Sequence, residues 1–136
     1  MSVQMILLPL FVQVLLTITL GLMMAVRRRK ALMSRETRWQ DIALREPGWP
    51  KDAIAVGNAW LNQFEVPVLF FAVCAMLASL DAVTPPQVAL AWLFVGLRCA
   101  HSFIQLTYNR VMHRFRVYLA STVCVFAMWA LLAVRL

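Results

Sequence analysis

Apolar residues fill four long stretches of this chain, and the polar ones gather between those stretches or form short stripes inside them. The first stretch, residues 5–26, has 22 residues and no charge. At about 1.5 Å per residue, a helix of that length crosses the roughly 30 Å hydrocarbon layer of a bilayer. Pro9 falls in its first turns, where a missing N–H costs little. Arg27-Arg28-Arg29-Lys30 then marks its end. A second span is expected over 52–80, opened by Pro50 and by Asp52 at the positive end of the helix dipole. Its roughly 43 Å exceeds the hydrocarbon layer, so its first turns should project beyond it, and Pro67 should kink it. Thr84-Pro85-Pro86-Gln87 makes a capping-box start for a third span over 85–109. A basic link, Arg110-Val-Met-His113-Arg114-Phe-Arg116, leads to a fourth span over 117–134.

Residues 27–51 hold eight Lys or Arg and three Asp or Glu, with Pro47, Gly48 and Pro50 as breakers. They read as a solvated loop with a short amphipathic helix at the interface over 36–44. The expected fold class is all-α integral membrane: a four-transmembrane-helix bundle forming one domain over 1–136. Composition agrees, since 62% hydrophobic and 14% charged residues in a chain of 136 lie outside the soluble globular range. The net charge of +7 is clustered, which points to topology and not to nucleic acid. Both basic links are expected in the cytoplasm and both termini outside. Cys74, Cys99 and Cys124 lie singly in apolar runs, a spacing that fits neither a disulfide framework nor a zinc site, so they read as small buried hydrophobes.

The chemistry lies in the stripes. In Asn58-Ala-Trp-Leu-Asn62-Gln-Phe-Glu65, the residues Asn58, Asn62 and Glu65 fall within roughly 60° of one another on a helix. The third span carries Arg98, His101 and Gln105 on one face, flanked by Ser102 and Asn109. Counted from the outer turn, Glu65 lies about 22 Å deep and Arg98 about 20 Å deep. A charge at the centre of a span costs roughly 2.5–3.5 kcal/mol on insertion scales. The economical expectation is a Glu65–Arg98 pair whose hydrogen bonds are completed by Asn62 and His101. The stripe then opens onto a rim of Arg27, Arg28, Arg110, Arg114 and Arg116, and such a mouth suits a small anionic molecule. The plainer alternative is a polar clamp holding the helices together. His113 reads as a surface residue, Trp39, Trp49, Trp60 and Trp129 as interfacial anchors or packing, and Tyr118 as either an anchor or a ligand contact.

Asn62-Gln-Phe-Glu65 in the second span, Arg98-Cys-Ala-His101 in the third and the basic link before the fourth resemble the MAPEG family, the membrane-associated proteins of eicosanoid and glutathione metabolism. The phrases NQFEVPVLF and LTYNRVMHRF are similar to its small bacterial branch, whose location would be the inner membrane. The resemblance covers nearly the whole chain and implies a homotrimer that binds glutathione between subunits. It assigns Asn62, Glu65, Arg98, His101 and Tyr118 to glutathione, matches Arg27 or Arg28 to the family's basic residue at the end of the first helix, and makes Arg114 the catalytic arginine beside the thiolate; Arg28 and Arg110 of the rim complete the expected glutathione set. The implied partners are membrane lipid, a hydrophobic small molecule and glutathione as co-substrate, with no metal and no nucleic acid. The implied activity is that of a glutathione-dependent transferase or peroxidase acting on hydrophobic electrophiles or lipid peroxides. The chain departs from the family pattern at Asn58, where an arginine is usual, at Gln105, where a tyrosine is common, and at Phe115, where the prostaglandin-forming branch carries a hydroxyl residue. A non-catalytic protein of the same fold, kept for assembly or lipid binding, is the alternative. A small four-helix transporter is a third reading, disfavoured by the arginine matched to Glu65.

Overall fold

The computed structural model describes residues 1–44 and 48–136. Its first helix, α1 (Gln4–Met33), runs two turns past the expected end at residue 26. The physical reason is simple: Arg and Lys are good helix formers, and cations in a last turn suit the helix dipole. What stops α1 is Arg35 at φ 59°, a left-handed residue just past the helix. The amphipathic helix expected over 36–44 is instead a 3-10 turn at Trp39–Ile42. Pro47, expected as a breaker, lies outside the described residues.

The second span is broken rather than kinked. Helix α2 (Lys51–Leu61) passes into a 3-10 turn at Asn62–Phe64, and α3 (Val66–Ser79) follows. Glu65 joins them with φ −97° and ψ −109°, outside the helical region. Pro67 supplies the cause: it has no N–H, and its ring would collide with the Gln63 carbonyl of a continuous helix. Gln63 is also tied sideways. Its side-chain amide receives a 2.8 Å hydrogen bond from Gln13 on α1 and donates one of 2.9 Å to the Ala59 carbonyl. Both glutamines are buried. Interhelical bonds of this kind contribute roughly 0.6–2 kcal/mol in a membrane.

Helix α4 (Pro85–Leu106) starts on the expected capping box, with Gln87 Oε1 accepting the Thr84 N–H at 3.2 Å. It ends three residues before residue 109, where the Asn109 N–H returns to the Ile104 carbonyl at 2.8 Å and Asn109 takes φ 46°. Helix α5 (Val111–Ala133) begins at once, with Arg110 in extended backbone at its N-cap position. The expected basic link is therefore the first two turns of α5, because nothing between Val111 and Val117 breaks a helix. This puts Arg114 and Tyr118 four apart on one helix face.

Core and polar groups occupy opposite ends of the bundle. Ile6 of α1, Phe70, Val73 and Leu77 of α3, Phe94 of α4 and Val125, Met128 and Leu132 of α5 form the apolar core. Phe70 stacks on Phe94 with centroids 4.4 Å apart. Helix α5 lies chiefly against α4, while α1 lies across α2, α3 and α4. Among the described residues, four spans, with α2 and α3 counted as one, are long and apolar enough to cross a membrane. Cys74 and Cys124 are buried in the packing as expected, whereas Cys99 is exposed on the outside of α4.

Candidate functional site

At the basic end, α2, the break, α4 and α5 diverge around a cleft of about 440 Å³. That lies within the roughly 300–1,000 Å³ of small-molecule sites. Asn58, Leu61, Asn62 and Glu65 form one wall, His101 and Gln105 a second, and Val111, Arg114, Phe115 and Tyr118 a third. Three groups of opposed chemistry thus face one space: a carboxylate, a guanidinium and several amides.

The break organises the first wall. Arg98 is fully buried behind it and donates from Nη2 to the Asn62 carbonyl at 2.9 Å. Its guanidinium also lies over the Tyr118 ring, 5.9 Å from the centroid, near the limit for a cation–π contact. The expected Glu65–Arg98 pair does not form. Glu65 sits at the non-helical residue, and its side chain is exposed on the cleft. Nor does Asn62 complete that pair with its amide, which donates from Nδ2 to Gln105 Oε1 at 3.0 Å.

Several buried polar atoms are left without partners: Arg98 Nε and Nη1, His101 Nδ1 and the Ser102 hydroxyl. His101 is buried against Tyr118, with ring centroids 5.9 Å apart. Buried polar atoms without partners are rare, and these lie in or next to the wall of the cleft. On the third wall, Arg114 is held by Asn109 Oδ1 at 2.7 Å. The left-handed turn at Asn109 therefore both starts α5 and aims the arginine.

Of the eight residues expected at the site, six gather here: Asn62, Glu65, His101, Arg114 and Tyr118 line the cleft, and Arg98 stands behind them. Arg28 and Arg110 do not line it. Arg28 instead stacks on Trp49 at 4.9 Å and lies against α2 where Gly57 has no side chain. Arg27 reaches the Asp52 carbonyl at 3.4 Å. Arg110 is exposed at the start of α5. His113 is exposed as expected, beside Tyr108 at 3.2 Å. Leu61 and Val111 escaped the sequence reading of the site, since apolar residues in apolar helices carry no signal. The Gln13–Gln63 tie was also missed, although Gln13 is the one amide in residues 5–26.

Fold and cleft together define a polytopic helical membrane protein with a polar cleft at its basic end. The chain belongs to the MAPEG family, whose model matches residues 6–134 of its 136. Membership fits a membrane glutathione transferase or a related function, and the family generally uses glutathione. No curated protein and no solved structure matches the chain.

Proposed function

We propose that this protein is a membrane glutathione-dependent transferase or peroxidase acting on hydrophobic electrophiles or lipid peroxides, with Arg114 as its catalytic residue. The observation that carries this reading is the convergence of Glu65, His101, Arg114 and Tyr118 on one cleft in front of the unpartnered N–H groups of Arg98. Glutathione is a net anion that also carries an ammonium group. The cleft offers a carboxylate for that ammonium, amide and guanidinium groups for the peptide and carboxylates, and Arg114 for the sulfur.

The chemistry required of the chain is modest. A thiol must lose its proton to become a nucleophile, and a fixed guanidinium favours the charged form. Arginine suits the task because it stays protonated and offers five donors. The thiolate then forms a carbon–sulfur bond as the electrophile's leaving group departs. With a peroxide, it takes one oxygen and releases the alcohol, and a second glutathione reduces the sulfenic acid to give disulfide and water. Phe115 and Val111, in the same wall, give the hydrophobic partner an apolar surface.

The same proposal takes the protein to be a homotrimer with glutathione bound between subunits, as the family resemblance implies. Exposed apolar stripes along α1 (Phe11, Leu15, Ile18, Leu22) and α5 (Phe115, Leu119, Val123, Phe126) support contacts with lipid and with neighbouring copies. Arg28, outside the cleft of its own chain, would serve a neighbour's, and Arg110 would draw the anion to the rim. The positive-inside rule places both basic links in the cytoplasm. The second reading, a non-catalytic protein, is favoured by the Asn62–Gln105 bridge, which clamps α2 to α4 without any ligand. An assay separates the two. Protein reconstituted in vesicles should conjugate glutathione to a hydrophobic aryl halide, or reduce a fatty-acid hydroperoxide, well above the protein-free rate. Turnover no faster than in empty vesicles with a panel of both substrate types removes the catalytic reading.

A further inference from the structure

The connection from α1 to α2 carries a second polar hollow, of about 460 Å³, that shares no residue with the cleft. Leu32, Arg35, Thr37, Arg38, Trp39 and Gln40 line it. Its shape is fixed by the chain itself. The left-handed turn at Arg35 sends the backbone back, so that the N–H groups of Ser34, Arg35 and Thr37 take up the carbonyls of Lys30, Leu32 and Ala31. The negative end of the α1 dipole is thereby partly covered. Thr37 is buried, and its hydroxyl donates to the Gly48 carbonyl at 3.0 Å, which pins the two limbs of the loop together. Two exposed arginines, Arg35 and Arg38, share the hollow, while Glu36 and Asp41 on the same segment do not line it.

Two further observations identify the ligand. Trp39, which lines the hollow, is 72% exposed, and the same stretch of chain carries exposed Met33 (73%) and Leu44 (74%), an apolar shelf in sequence. A dissolved anion would need the cations but not the shelf. Depth is the second. The 30 residues of α1 span about 45 Å, which matches the roughly 40–45 Å thickness of a bilayer with its headgroups. A helix that crosses the bilayer therefore ends among the headgroups, where Trp and Arg side chains are at home.

We propose that this hollow seats the phosphate of an anionic phospholipid headgroup, with Arg35 and Arg38 holding the phosphate and Trp39 packing at the level of the glycerol. The site is independent of glutathione chemistry. It makes the α1–α2 loop a lipid-reading element on the basic face of the protein.

The test uses the full chain in vesicles of phosphatidylcholine with or without a fifth of phosphatidylglycerol, either lipid carrying brominated acyl chains. Quenching of Trp39 is obtained by subtracting the signal of Trp39→Phe. Two surface arginines correspond to about 30-fold enrichment of an anionic headgroup, so brominated phosphatidylglycerol should quench far more steeply than brominated phosphatidylcholine. Arg35→Asn/Arg38→Gln should abolish that difference, and asparagine tolerates the left-handed backbone at residue 35. Circular dichroism of the double variant should match the wild type. Equal quenching by both lipids in the wild type overturns the proposal, as does a phosphatidylglycerol preference that survives in the double variant. Loss of the preference in millimolar inorganic phosphate at constant ionic strength would reassign the hollow to a soluble anion, and so overturns it too.

Discussion

Arg114→Ala should abolish the ultraviolet absorbance of bound glutathione thiolate while leaving the assembly intact by size. Arg114 is the cation that lines the cleft, and Asn109 holds it in place at 2.7 Å. An opposite charge beside an ionising group moves its pKa by roughly 1–3 units. Losing that charge should lower the thiolate fraction, and the rate that depends on it, by about 10- to 1,000-fold near neutral pH. The assembly should survive because Arg114 contributes nothing to the apolar core at the other end of the bundle. Arg114→Lys keeps the charge without the planar fork and should fall between the two. Equal thiolate absorbance in Arg114→Ala and wild type, both saturated with glutathione, would remove the arginine from the mechanism.

Pro67→Ala should uncouple stability from binding. With an N–H restored at residue 67 and the ring gone, α2 and α3 can join as one helix and recapture the Asn62 and Gln63 carbonyls; a proline inside a helix costs about 3 kcal/mol. That gain is opposed by Arg98, which would lose its acceptor at the Asn62 carbonyl and remain a buried cation. The melting temperature without ligand should therefore move by only a few degrees. Binding should suffer more, because a continuous helix shifts Glu65 from its non-helical position on the cleft and takes the Asn62 carbonyl from Arg98. The expected loss is about 10-fold or more in glutathione affinity, the scale of one charge-assisted hydrogen bond. An affinity equal to the wild type's, measured by equilibrium dialysis, would show that the break has no part in the site.

What the sequence revealed and what it hid follow from how far each signal reaches along the chain. Span lengths and polar stripes are local, periodic properties, so four spans and the grouping of Asn62, Glu65, His101 and Arg98 at one end could be read directly. Whether Pro67 bends a helix or breaks it depends on which groups take over the freed carbonyls. Those groups, Arg98 on α4 and Gln13 on α1, are distant in sequence. The Glu65–Arg98 pair failed for the same reason: depth was calculable, but the direction of Glu65 after the break was not. The basic residues before residue 117 resemble a link because clustered charge ordinarily marks a solvated segment. The turn signal was Asn109 alone, and the charges ride on a regular helix whose first turns carry Arg114 to the cleft. Arg28 illustrates a further limit. The end of the apolar run puts it at the end of the first span, yet α1 continues to Met33 and the chain folds the arginine onto Trp49, away from the cleft of its own subunit.

A thermal melt of the purified protein in detergent decides whether the cleft between α2, α4 and α5 binds glutathione. A ligand at 100 times its dissociation constant stabilises the native state by about 2.7 kcal/mol. Millimolar glutathione should therefore raise the melting temperature in a saturable way, and Glu65→Gln should shift that saturation to higher concentration. A melting temperature that stays constant from zero to several millimolar glutathione would contradict the claim and leave the cleft as a clamp between helices.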